Sequence, residues 1–221
     1  MKKIFITLVL VLLTAPILSG TVLLKGGLVH SGNGGTATVQ DILISENIIV
    51  DVGNNLIIDG NTRVIEVNGL PVTPGLISPM SNLGIVEINA LEVTRDDESD
   101  LLSAGFSIFN AFNPHSTVIP WNRSNGVTSA ISTPSASSFP IFGLGSHFVL
   151  DGSLEIKGAK DIAMFGRLGS SYGSRAETLS LLESLLEIGE LAKSEPVEEI
   201  LEMTIADKLE LQAQDIIALG K

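Results

Sequence analysis

The segment Val72-Thr73-Pro74-Gly75-Leu76-Ile77-Ser78-Pro79-Met80-Ser81-Asn82-Leu83-Gly84 constrains the fold of this chain more than any other. Residues 71–77 read as an apolar strand of the kind buried on both faces of a sheet, and a polar loop follows. Met80 and Asn82 stand one residue apart just past the expected end of that strand. In a parallel α/β barrel, catalytic side chains project from that place. Two histidines at this spacing would hold a divalent metal from one side of the loop. A thioether and a carboxamide do not, because catalytic Zn²⁺ takes imidazole, thiolate or carboxylate. The segment implies an architecture but lacks the ligands that would go with it.

Charge and cysteine usage narrow the chemistry further. Lys and Arg number 13 against 25 Asp and Glu, a formal net charge of −12. No basic stripe is present to displace counterions, so nucleic acid is excluded as a partner. The absence of cysteine excludes disulfides, thiolate metal sites, a Cys nucleophile and a lipidated N-terminus of the lipoprotein type. With 44% hydrophobic residues, 17% charged and 22 glycines, the chain is globular and rich in turns. Its 221 residues suffice for one large domain or two modest ones. At the start, Lys2 and Lys3 precede an apolar run over residues 4–13 and a small-residue exit to Gly20. This is the pattern of a secretory signal, and the run is short of the roughly 20 residues a membrane span needs. Residues 1–20 are expected to be removed, leaving no stable membrane anchor and a periplasmic or secreted product.

From Thr21 to Val67 the pattern is one of short β segments. Strands are expected at 22–29, 41–45, 48–52 and 63–67, with a loop at 31–35 and a hairpin around Glu46-Asn47. Together they predict a small antiparallel sheet. The character changes at Leu70. After the strand at 71–77 come a mixed segment, a loop-rich stretch with Pro114 and Pro120, and a second buried strand over 126–133 that ends in a Ser/Pro loop. Ser174 and Glu177 have capping-box spacing. Leu179, Leu182, Leu185, Leu186 and Ile188 give the helix that follows a wide apolar face. A further helix is expected over 196–209, with Pro196 near its first turn.

These pieces resemble the amidohydrolase superfamily, in its secreted imidazolonepropionase-like or dihydroorotase-like branch. The resemblance rests on residues 24–30 (Leu-Lys-Gly-Gly-Leu-Val-His), 41–44, 48–53 and 64–67. It is strongest at Val72-Thr73-Pro74-Gly75-Leu76-Ile77, and Asn125-Gly126-Val127-Thr128 and Gly173-Ser174-Arg175-Ala176 add to it. It implies an α/β fold: a small N-terminal β-sandwich over 21–69, then a metal-dependent-hydrolase-type (β/α)8 barrel from residue 70 to 221. The implied chemistry is hydrolysis of non-peptide C–N bonds by metal-bound hydroxide, with Zn²⁺ as cofactor in catalytic members. The family's His-x-His motif falls on Met80 and Asn82, and its preceding acidic position falls on Ser78. A complete barrel takes about 250 residues, more than follow Leu70, so the barrel is expected to be incomplete at its C-terminal end.

Few other groups could act. His30 is expected at the surface and His147 beside a strand, while His115 lies on a loop that either borders the barrel mouth or, with no partner carboxylate, leaves the imidazole facing solvent. No two histidines have metal-ligand spacing. Glu87 is a candidate general base, and Asp96-Asp97-Glu98 is expected to be a solvated helix start favoured by the helix dipole. Asn122-Arg123-Ser124 matches a glycosylation acceptor. Ser135, Ser137 and Ser138 lack a His/Asp partner at recognisable spacing, and Trp121 and Phe139 read as packing residues. The barrel-mouth set is therefore Ser78, Met80, Asn82, Glu87 and His115, with no catalytic residue and no metal ligand assigned. Two readings remain. The first is an exported amidohydrolase-like protein, inactive by itself. The second is a non-catalytic relative that binds a small molecule or a partner. An open barrel would also leave strand edges that favour oligomerisation, or a chain partly disordered after about residue 195.

Overall fold

The computed structural model describes residues 20–135, 139–168 and 173–221. The expected signal segment lies outside these residues apart from Gly20, as do Ser137, Ser138 and Tyr172. The chain divides into two units, Met1–Pro74 and Gly75–Lys221.

The first unit is a five-stranded sheet. Its main path runs β3 (Ile48–Gly53), β2 (Thr38–Ser45), β1 (Val22–Val29), β4 (Arg63–Glu66), and β5 (Pro71–Val72) also pairs with β1. Strands β1, β2 and β3 are antiparallel neighbours, as the β-branched runs predict. Glu46 and Asn47 close the β2–β3 hairpin with φ of 50° and 63°, the left-handed pair that suits a two-residue turn to strand twist. The sheet is not purely antiparallel, however. Strands β4 and β5 both run parallel to β1. A bulge in β1 between Leu24 and Gly27 makes this possible. It turns Gly26 to φ 69°, frees its N–H for the Asp41 carboxylate at 2.8 Å and leaves its carbonyl to accept from Gly69 at 2.6 Å. Leu23 and Ile42 form the small buried core of this unit.

The second unit is built on a four-stranded sheet in the order β6 (Leu76–Ser81), β7 (Val127–Ser132), β8 (Ile141–Val149), β9 (Gly158–Gly166). Only β6 and β7 are parallel, and the other two pairs are antiparallel. A succession of parallel strands, as a barrel requires, is thus found for one pair among the described residues. The expected single strand over 71–77 is broken in two: residues 71–72 belong to the first sheet, and pairing resumes at Leu76. Strand β6 is also not buried on both faces. It is an edge with one neighbour among the described residues, and Leu76 and Ile77 are more than half exposed. Gly75 is needed at this junction, since a Cβ there would come within 2.1 Å of the Thr128 hydroxyl.

Two apolar clusters hold this unit. The first gathers Leu83, Ile85, Ile108, Phe112 and Ile119 over Ala130, Phe148 and Leu150, and Phe112 stacks on Phe148 with ring centroids 4.0 Å apart. Ile119 is the buried residue of helix α1 (Val118–Ser124). Trp121, two positions on and so about 200° round the helix, is 72% exposed and does not pack as expected. The second cluster joins Ala104, Ile141 and Leu144 to four helices: α2 (Arg175–Leu191), α3 (Val197–Leu201), α4 (Thr204–Lys208) and α5 (Ala213–Leu219). Ser174 caps α2 by accepting the Glu177 N–H at 3.2 Å. Leu185 and Ile188 are fully buried, each contributing about 1.5–3 kcal/mol, but Leu179 and Leu186 point outward and are half exposed. The buried stripe is narrower than the apolar one.

The segment after residue 195 folds, but not as the one helix expected over 196–209. Pro196 is the N-cap of α3, and the chain turns extended at Met203 before α4. On an uninterrupted helix, Ile200 and Ala206 would lie about 120° apart round the axis. The break lets both reach the same cluster.

Candidate functional site

The candidate site is the set of loops beyond the C-terminal ends of the parallel pair β6 and β7, where sheets of this kind present their chemistry. Strand β6 extends through Ser81, so Ser78 and Met80 lie within it and not in the loop. Ser78 pairs with Ala130 and Ser81 with Ser132, and the register shifts between them. Met80 sits in this irregularity with φ 50°, uncommon for a residue bearing Cβ, and its side chain is 72% exposed. The strand end is tied down by Thr133 N–H to the Ser81 carbonyl at 2.8 Å and by the buried Ser132 hydroxyl to the Leu83 carbonyl at 2.7 Å. Asn82 follows at once. Its amide donates to the Asn89 side chain at 3.3 Å, and its carbonyl accepts from the N–H groups of Ile85 and Val86. The two positions where the resemblance puts histidines thus carry an outward thioether and a carboxamide engaged in holding its own loop.

Asp97 organises these loops, a role that the sequence pattern does not announce. The run 96–98 is no helix start; Asp97 is 1% exposed. Its carboxylate accepts from Arg95 Nε at 3.2 Å, from Arg95 Nη2 at 3.3 Å and from the Ser135 hydroxyl. Its carbonyl accepts the Ser135 N–H at 2.8 Å. Arg95 reaches Glu98 as well. The Asp97 hydrogen bond, then the charges of Asp97 and Glu98, push the guanidinium pKa up. Ser135 thus donates to a carboxylate with no imidazole between them, an arrangement that fastens the end of β7 and does not activate a nucleophile. The sequence signal available was the alternation of Arg95 with Asp97, but nothing pointed to Ser135, 38 residues away.

Glu87 accepts from the Asn113 amide at 3.4 Å, and the Asn113 side-chain oxygen accepts the His115 N–H at 3.0 Å. One amide thus links Glu87 to the His115 backbone. The His115 imidazole itself lines a cleft with Val149, Leu150 and Gly152. Because Leu150 bonds to Thr128, that cleft lies beside the start of β7, at the end of the sheet opposite Ser81 and Ser132. His115 does not face the candidate site. His30 is exposed after β1 and His147 is half-buried within β8. Asn122, of the acceptor triplet, spends its amide on the Val118 carbonyl at 2.9 Å, and Phe139 packs against the helical cluster as read.

The loops also enclose a cavity of about 400 Å³ with Glu98, Asp100 and Glu210 at its walls. Asp215, buried at its base, is saturated by the N–H groups of Ser103, Gly105 and Gln212 at 2.8–2.9 Å and is a structural carboxylate. No group of three His, Cys, Asp or Glu side chains suited to a metal is found among the described residues. The donor set at Met80 and Asn82 does not fit a catalytic zinc.

No family model matches the chain, and no curated protein matches it in sequence. Among solved structures, an amidohydrolase from Thermotoga maritima MSB8 is similar with a TM-score of 0.67 at 18% identity, over 90% of this chain and 54% of its own. The chain thus spans about half the length of that protein. A prolidase complexed with N-methylphosphonate-L-proline matches 51% of this chain and 25% of its own at 23% identity and a TM-score of 0.37. Molinate hydrolase matches 52% and 24% at 21% identity and a TM-score of 0.36. The first likeness shows the fold: a mixed α/β arrangement shared with the Thermotoga protein over nine-tenths of this chain. The two others are too partial to carry an argument.

Proposed function

We propose that this chain is an exported amidohydrolase-like protein whose β6 end has lost the first metal-ligand pair, so that it does not hydrolyse C–N bonds by itself. The observation that carries the reading is the coincidence of the Thermotoga amidohydrolase fold with Met80 and Asn82 at the end of β6. In this reading the first sheet is the small β-sandwich of the imidazolonepropionase-like or dihydroorotase-like branch, and the second unit belongs to its barrel. Metal-dependent hydrolysis of non-peptide C–N bonds is the chemistry associated with such a fold. The residues of this chain contribute the scaffold of that site: Ser132 and Thr133 hold the strand end, and Arg95, Asp97 and Ser135 hold the loop above it. The Lys2–Lys3 start with its apolar run supports export to the periplasm.

The deciding experiment measures zinc. Elemental analysis of the purified chain after dialysis should find far less than one zinc per chain. The double variant Met80→His, Asn82→His should raise affinity only slightly, because no third or fourth ligand stands nearby among the described residues. One tightly held zinc per unmodified chain, with turnover of cyclic amides or N-acyl amino acids, would overturn the proposal.

A further inference from the structure

Three groups without a side-chain partner among the described residues line one small cleft in the second unit, away from the candidate site. The cleft, about 120 Å³, lies between the loop before α1 and the turn after β8. It is too small for a drug-sized ligand, which takes about 300–1,000 Å³, but has room for a small ion. His115 and Arg123 line it, and so does Ser116, which is 2% exposed. The Ser116 hydroxyl has no hydrogen-bond partner among the described residues. A buried polar group left without a partner costs about 1–3 kcal/mol, so it marks a place where a ligand atom or water belongs. The Arg123 guanidinium makes no ion pair or side-chain hydrogen bond among the described residues, and neither does the His115 imidazole.

No carboxylate lines this cleft, in a chain whose net charge is −12. Asp151, next to the wall, is turned to other work: its oxygens take the Ser153 N–H at 2.8 Å and the Lys157 ammonium at 2.7 Å. The guanidinium is held close to the backbone at Gly152, where φ is 89° and a Cβ would come within 2.6 Å of Arg123 Nη1. Any side chain there would both strain the turn and displace the arginine. Pro114 and Pro120 restrict the backbone of the opposite wall.

We infer that His115, Ser116 and Arg123 form a binding site for a small tetrahedral oxyanion of the phosphate class. A guanidinium offers a planar fork of N–H donors that matches two phosphate oxygens, charge-assisted bonds are the strong ones, and a hydroxyl can donate to a third oxygen. The site lies at the opposite end of the sheet from Met80 and Asn82, and the inference does not depend on the proposed hydrolase ancestry.

The test is a titration of the full chain with inorganic phosphate at fixed ionic strength, followed by amide NMR shifts. Saturable shifts confined to residues 113–123 and 150–153 are expected. Arg123→Gln should weaken phosphate binding about tenfold or more, the loss of one charge-assisted hydrogen bond, without changing the melting temperature of the phosphate-free protein. Ser116→Ala should weaken it as well, and His115→Gln provides a third variant at an exposed position. The inference is overturned if the shifts do not saturate, if chloride or acetate reproduces them, or if Arg123→Gln binds phosphate as the parent does.

Discussion

A carboxylate as deeply buried as that of Asp97 persists only where donors meet it, and here three do: two nitrogens of Arg95 and the hydroxyl of Ser135. Removing the acceptor leaves Arg95 Nε and the Ser135 hydroxyl without this partner, while Arg95 Nη2 keeps Glu98, and a donor stripped of its partner in a buried place costs about 1–3 kcal/mol. Asp97→Ala is therefore expected to lower the unfolding free energy by about 1–3 kcal/mol, measured by urea denaturation. A loss below about 0.5 kcal/mol, the size of an ordinary surface change, would show that the network is ornamental. Sequence reading took Asp96-Asp97-Glu98 for a solvated helix start because a run of acids is usually exposed. The residue that reverses this, Ser135, belongs to a different strand end, and no local pattern announces it. The donor chemistry of Met80 and Asn82, a thioether and a carboxamide, is by contrast a property of each residue alone, whatever the fold does around it.

At the scale of elements, local chemistry was the reliable guide. Asn47 tolerates the left-handed conformation that the β2–β3 hairpin needs, and Ser174 supplies the cap that starts α2. The turn between β8 and β9 is closed in a similar local way by Asp151, which binds Lys157 and the Ser153 N–H. The Lys157 hydrogen bond, then that from Ser153, holds the Asp151 pKa below its ordinary carboxylate range. With the folded value depressed, this contribution is complete above the unfolded pKa of about 3.9 and is lost as pH falls through the folded value. Amide signals of residues 151–157 are thus expected to titrate with a midpoint below that of a free aspartate, while both partners being solvated keeps the effect on global stability small. A midpoint at or above the free value would show that the turn is not closed by this pair. Where sequence reading failed was in element ends and partners: β6 runs on through Ser81, and the helix expected over 196–209 is two. Both are decided by what the element packs on. The break at Met203 follows no Gly or Pro, and Ile200, Ala206 and Leu209 from either side of it share one core.

At the scale of the molecule, each unit leaves strands unfinished. In the first, Ile48, Ile49 and Val50 on β3 and Val64 on β4 are exposed, and both strands are sheet edges among the described residues. In the second, β6 is an edge among the described residues, and its Leu76 and Ile77 are more than half exposed. Open apolar edges recruit other strands. Light scattering on protein from the periplasmic fraction, with its mature start read by N-terminal sequencing, is expected to show association by a chain beginning near Thr21. A monomer with a sharp cooperative melt would count against the first expectation, and an intact Met1 in the cytosol would remove the second.

What the sequence determined by itself was the order and type of the early strands, the turns at Glu46-Asn47 and Ser31–Gly35, and the capped start of α2. Each depends on backbone preferences or side-chain chemistry within a few residues. Only the tertiary structure decided that β4 and β5 run parallel to β1, that β8 and β9 turn antiparallel beside β7, that Asp97 is buried, and that His115 lies with Arg123 at the opposite end of the sheet from Ser81 and Ser132. Those outcomes depend on contacts between residues far apart in the chain, where hydrophobic burial is non-directional and many pairings satisfy the same local pattern. Packing selects among them.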